Sequence, residues 1–128
     1  MFENAINSKK QGDIGMCYAL AYFSKMGYTV SIPITDSQDY DLIIDNGTLL
    51  KVQVKTTKCL NKGKYQVALK TCGGNKSGHV IKKFSDNSSD LLFILDDNGN
   101  MYLIPKCEIQ GNTAILLGED KERYKVYL

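Results

Sequence analysis

Between Asn46 and Ser85 the sequence has no aspartate and no glutamate, yet Lys51, Lys55, Lys58, Lys62, Lys64, Lys70, Lys76, Lys82 and Lys83 all fall there. These nine are more than half of the 16 basic residues, so positive charge is concentrated although the formal net charge is only +2. Such asymmetry gives one side of a compact domain a positive potential, the footprint of a surface that faces phosphates. A solvated lysine-rich face has the same composition.

Long apolar runs are missing too. None approaches the roughly 18 residues that a membrane helix needs. The opening MFENAINSKK lacks the apolar core of a signal peptide, so the chain is expected to be cytoplasmic, with no membrane partner. Histidine is nearly absent, with His79 alone, and Cys17, Cys59, Cys72 and Cys107 are scattered without a Cys-x-x-Cys pair. That spacing argues against structural zinc, and in a reducing cytosol the four are expected to be free thiols, mostly small buried hydrophobes. The stretch GGNKSG is not a phosphate-binding P-loop, because Asn75 and Lys70 stand where that motif needs glycine.

What is present is ordinary for a globular protein: 128 residues, 43% hydrophobic and 23% charged. The length suits one domain over residues 1–128. Lys9 to Met26 has helical spacing, with Met16, Leu20 and Phe23 on one stripe, Ile14, Cys17 and Ala21 beside it, and Gly27 at its end. YTVSIPI reads as a strand that Pro33 confines to a sheet edge or a strand end. Further strands are expected at YDLII, LLKVQVKTT, KYQVALKT, Asp90 to Leu95, Met101 to Ile104, TAILL and YKVYL. Cys72 to Ser89 reads as a surface loop with a short helix near Val80 to Phe84. The order implies an α/β (α+β) domain whose mixed central sheet is built on antiparallel hairpins and flanked by helices.

The stretch YDLIIDNGTLLKVQVKTT carries the most information. A two-residue turn at Asn46-Gly47 would pair Leu42 with Lys51 and mix charge with apolar residues on both faces. A three-residue loop, Asn46-Gly47-Thr48, pairs Asp45 with Leu49 instead. One face then holds Leu42 opposite Val52 and Ile44 opposite Leu50. The other places Asp41 opposite Gln53, with Lys55 a diagonal step away. Burying Asp41 or Lys51 without partners would cost several kcal/mol, which selects the second register. Asp41, Gln53 and Lys55 then converge.

An aspartate, a side-chain oxygen two residues before a lysine, and that lysine suit metal-assisted phosphodiester hydrolysis. Oxygen ligands hold Mg²⁺, and lysine orients or deprotonates the attacking water and offsets transition-state charge. The constellation resembles the PD-(D/E)XK nuclease superfamily, with Asp41 at the first acidic position and Gln53-Val54-Lys55 at the E-x-K position. KKQGDIG, YDLII, KVQVKTT, MYLIP and YKVYL extend the likeness to small intron-associated homing endonucleases and archaeal Holliday junction resolvases. Glutamine at the E position is known among such homing enzymes.

The resemblance implies a restriction-endonuclease-like core and a Mg²⁺-dependent DNA endonuclease, Mn²⁺ substituting. A domain this small contacts little duplex alone, so two-site cleavage of duplex or branched DNA would require a homodimer or homotetramer. Metal would rest on Asp41, Gln53 and the carbonyl of Val54. The family's helix glutamate falls at Met16, which cannot bind Mg²⁺ and otherwise reads as core packing. Asp13, one turn earlier, is the candidate substitute, although an aspartate there also serves a helix N-terminus. Lys51, Thr57, Lys58, Lys70, Lys76, Lys82 and Lys83 are candidate nucleic-acid contacts, each also readable as an ordinary surface or strand residue. The alternative is a weakened or inactive DNA-binding relative.

Overall fold

In the computed structural model, residues 1–69, 71–75, 78–82 and 88–128 are described, the segments 71–75 and 78–82 by their backbone alone. Helix α1 spans Ser8–Lys25. It begins because the Asn7 side chain accepts the Lys10 N–H at 2.9 Å, satisfying an otherwise unpaired first-turn donor. It ends where Gly27 takes φ +83°, a left-handed conformation that glycine adopts without a Cβ penalty.

Strands β1 (Thr29–Ser31), β2 (Leu42–Asp45), β3 (Leu49–Thr57), β4 (Leu60–Asn61), β5 (Lys64–Ala68), β6 (Thr71–Asn75) and β7 (Gly78–Lys82) follow. Then come β8 (Leu91–Asp96), β9 (Met101–Pro105), β10 (Ala114–Leu117) and β11 (Lys125–Val126). The central sheet runs β1-β2-β3-β8-β9-β11. It is mixed, because β3 and β8 pair in parallel while its other neighbours are antiparallel. A parallel pair needs a crossover, and β4 to β7 supply it.

The expected three-residue turn is present. Asp45 pairs with Leu49, Ile44 with Leu50, Ile43 with Lys51 and Leu42 with Val52. Gly47 at φ +105° makes the turn, and the Asp45 and Asn46 side chains accept the N–H groups of Gly47 and Thr48.

Strand β8 is buried along nearly its whole length and divides two cores. Phe93 and Leu95 face α1 and join Ala19, Tyr22, Phe23, Leu42, Ile44 and Val52. Leu92 and Ile94 face the other way and join Val67, Leu69, Tyr102, Ile104 and Ile115. A second sheet, β10-β5-β4, supplies part of that other cover, where the sequence order predicts helix.

Three local expectations are corrected. The buried stripe of α1 is Gly15, Ala19, Tyr22 and Phe23, with Met16 only packed alongside, because the smallest residues let the helix approach the sheet most closely. Val80 to Lys82 belong to β7 rather than to a helix, Lys83 and Phe84 lying outside the described residues. Cys17, Cys59 and Cys107 are exposed thiols, not buried ones.

The β4–β5 hairpin turns at Lys62 (φ +54°) and Gly63 (φ +76°), both left-handed as a two-residue type I′ turn requires. For a lysine this conformation costs on the order of 1 kcal/mol.

Candidate active site

The β2–β3 ladder stops at Leu42, and Asp41 lies just beyond it. Its N–H donates to the Val52 carbonyl at 2.9 Å, and its carboxylate Oδ2 accepts the Val54 N–H at 2.7 Å. A side-chain oxygen thus takes the place of the strand carbonyl that would have continued the ladder. Because a strand residue directs its N–H and C=O to the same side, the Val54 carbonyl also points toward the edge that Asp41 occupies.

Alternation along β3 puts Val52 and Val54 toward α1, and Gln53 and Lys55 on the opposite face. Gln53 and Lys55 pair in register with Leu92 and Ile94, whose side chains belong to the second core. Gln53 is 7% exposed, so its amide lies in a low-dielectric setting. Burial raises the Asp41 carboxyl above its ordinary range, against the Val54 hydrogen bond and the Lys55 charge, which lower it. Burial likewise lowers the Lys55 ammonium, against the attraction of Asp41. A half-buried acid and base that feel each other's charge, with opposed shifts, form the environment expected of a reactive site.

The other expected residues divide. Asp13 is exposed, lies 3.9 Å from Lys10, and lines a cavity of about 340 Å³ with Asn4, Ala5, Ile14 and Cys17. The structure therefore does not bring it to the Asp41–Lys55 pair. Thr57 is also corrected: it is buried, its hydroxyl donates to the Gln66 carbonyl and accepts the Cys59 N–H, and it clamps β5 to β3 instead of facing outward. Lys51 sits 5.5 Å from the centre of the Tyr40 ring, and Lys58 is exposed. Lys70, Lys76 and Lys83 lie outside the described residues, as does the side chain of Lys82.

Two residues near the site were not anticipated. Asp36, exposed on the segment between β1 and β2, raises the Asp41 carboxyl by charge repulsion. The Gln11 amide donates to the Thr56 hydroxyl at 2.9 Å and ties α1 to β3. Asp36 stands in TDSQD, which reads only as a turn, and a lone amide carries no sequence signal.

A family model described as PD-(D/E)XK endonuclease matches residues 6–125. The chain belongs to the PD-(D/E)XK endonucleases. This PD-(D/E)XK chain is 30% identical over 108 residues to Protein 5.3 of Escherichia phage T7, covering 81% of this chain and 85% of that protein. Its structure is similar to that of the bacterial homing endonuclease I-Ssp6803I, with a TM-score of 0.78 and 29% identity over 93% of this chain and 88% of the other.

Metal ions are general in this superfamily, and the donor set of this chain can be weighed for one. Among the described residues no three His, Cys, Asp or Glu side chains gather around a common point. The donors that Asp41 and the adjoining stretch of β3 offer are oxygens: the Asp41 carboxylate, the Val54 carbonyl and the amide oxygen of Gln53. Hard ligands with a single carboxylate fit a cation of the Mg²⁺ class, which keeps several waters and shares its coordination with phosphate. A zinc site would call for histidine or cysteine ligands beside the carboxylate, and no such cluster forms among the described residues.

Proposed function

We propose that this PD-(D/E)XK protein is a Mg²⁺-dependent DNA endonuclease, with Mn²⁺ as a substitute, that hydrolyses a phosphodiester to a 5′-phosphate and a 3′-hydroxyl. The observation that carries the reading is the Asp41 carboxylate fixed by the Val54 N–H at 2.7 Å, within electrostatic reach of Lys55. Asp41, the Val54 carbonyl and the Gln53 amide would hold the cation. When bound, Mg²⁺ supplies Lewis-acid stabilisation of the charge that develops on the phosphate.

The remaining chemistry belongs to the chain. The Val54 hydrogen bond fixes the Asp41 carboxylate before substrate arrives, so no reorganisation is needed during reaction. Lys55 Nζ, its proton affinity reduced by burial, orients the attacking water and can receive its proton, or holds positive charge against the pentavalent phosphorus. Lys51 and Lys58 contact flanking phosphates. The likeness to I-Ssp6803I favours a homing-type activity over junction resolution, and cleavage of both strands by so small a chain calls for a homodimer or homotetramer.

A supercoiled plasmid incubated with Mg²⁺ tests the reading. Wild type is expected to nick it, and Lys55→Ala to nick at least ~100-fold more slowly, in line with loss of a general acid–base group. Equal rates would remove the proposed site.

The low count of acidic ligands among the described residues supports a second reading, a DNA-binding protein with a weakened metal site. Met16→Glu separates the two. Marked stimulation of cleavage supports the weakened site, and unchanged cleavage by an active wild type supports the ligand set above.

A further inference from the structure

The β4–β5 turn carries a feature that the proposed chemistry does not use. Lys62 occupies a left-handed position where asparagine, aspartate or glycine is accommodated more easily, and a conformation of this kind in a loop points to a function. Lys62 is exposed, as are Lys58 and Lys64 on either side of it. Lys62 forms no ion pair or hydrogen bond with another described residue.

The hairpin is braced rather than loose. The Gln66 N–H donates to the Cys59 carbonyl at 2.8 Å, the Asn61 amide donates to Gln66 Oε1 at 2.8 Å, and the Gln66 carbonyl accepts the Thr57 hydroxyl. Thr57 ends the strand that carries Lys55. The turn is thus held firmly relative to the candidate site, which reduces the ordering cost of contacting a rigid ligand.

Chain length limits how far apart these groups lie. Lys62 lies seven positions along the chain from Lys55, so their Cα atoms are at most about 25 Å apart. That is less than the ~34 Å pitch of one duplex turn.

We propose that the Lys62–Gly63 turn, flanked by Lys58 and Lys64, is a phosphate-backbone contact for duplex DNA within one helical turn of the scissile phosphate. The proposal rests on the nuclease reading above and extends it to a surface outside the catalytic cluster. The contact reads backbone charge, not base sequence, because a lysine ammonium offers a point charge to phosphate.

Lys62→Asn removes the charge and suits the left-handed turn better, so it is expected to keep or raise Tm. Lys62→Arg restores the charge. Binding of wild type and both variants to a fluorescent duplex is measured in EDTA across a range of KCl. The expected result is a salt slope shallower by about 0.9 in Lys62→Asn and a wild-type slope in Lys62→Arg. A wild-type slope in Lys62→Asn, with wild type still nicking plasmid in Mg²⁺, overturns the contact and leaves the nuclease intact. A wild type that shows neither salt-dependent binding nor nicking overturns both.

Discussion

The Asp41 carboxylate accepts the Val54 N–H at 2.7 Å, so an acid just outside the β2 ladder is fixed against the strand that carries Gln53 and Lys55. That hydrogen bond is a structural element and a functional one at once. It ends the pairing of β2 with β3 and aims the carboxylate.

Burial of Asp41 and Lys55 opposes their ionisation, so the pair favours function at the expense of stability. The metal-free Asp41→Asn/Lys55→Met double variant is expected to melt a few degrees above wild type at pH 7, because replacing charged groups that pay a desolvation cost by neutral ones is often stabilising. Differential scanning calorimetry in EDTA checks this, and a lower Tm would contradict it.

The same pair predicts a pH trend. The Lys55 ammonium is held below its ordinary value, so its stabilising contribution is present above the unfolded value and is lost as pH falls through the folded one. Comparing Asp41→Asn with Asp41→Asn/Lys55→Met isolates that group. The stability advantage of the double variant should be widest near neutrality and shrink as pH rises toward ~10.4. Urea unfolding at several pH values measures the gap, and one that widens with pH would refute the assignment.

Gly15 and Gly12 should respond oppositely to alanine. A Cβ on Gly15 would lie 2.5 Å from Thr56 Cγ2 and 3.3 Å from Val54 Cγ1, whereas one on Gly12 meets nothing within 4 Å. Gly15→Ala forces α1 away from β3 and is expected to destabilise by about 1–3 kcal/mol. Gly12→Ala gains helix propensity, up to about 1 kcal/mol. Thermal melts of both variants check the signs.

Asp96 is 1% exposed and accepts the N–H groups of Asn98 and Asn100 at 2.9 Å each, and the Asn100 amide at 3.0 Å. Asp96→Ala leaves those donors unpaired at the β8–β9 turn, with an expected loss of about 2–4 kcal/mol. Urea unfolding measures it. A loss under 1 kcal/mol would show that water replaces the carboxylate.

How much of this was legible in the sequence differs by element. The β2–β3 register followed from one constraint, the cost of burying Asp41 or Lys51, and it holds pair for pair from Asp45–Leu49 to Leu42–Val52. The helix limits followed from local signals, Gly27 above all. The buried face of α1 was misjudged because Gly15 and Ala19 lack the bulk that marks a core stripe. The three-stranded cover was missed because β4 has only two residues and its hairpin reads as KCLNKGK, a polar loop. Thr57 reads in sequence as a phosphate contact or an ordinary strand threonine, because Gln66, nine positions away, closes on it only through the fold. Asp36 reaches Asp41 through the path of a turn, which no periodicity encodes.

The central claim is that Asp41 and its neighbours hydrolyse DNA with a divalent cation, and single-turnover cleavage of end-labelled duplex by wild type and Asp41→Ala tests it most directly. Wild type should cleave in Mg²⁺ and not in EDTA, leaving ends that a ligase rejoins, and Asp41→Ala should be at least ~100-fold slower. Cleavage in EDTA, or an Asp41→Ala rate equal to that of wild type, would contradict the account.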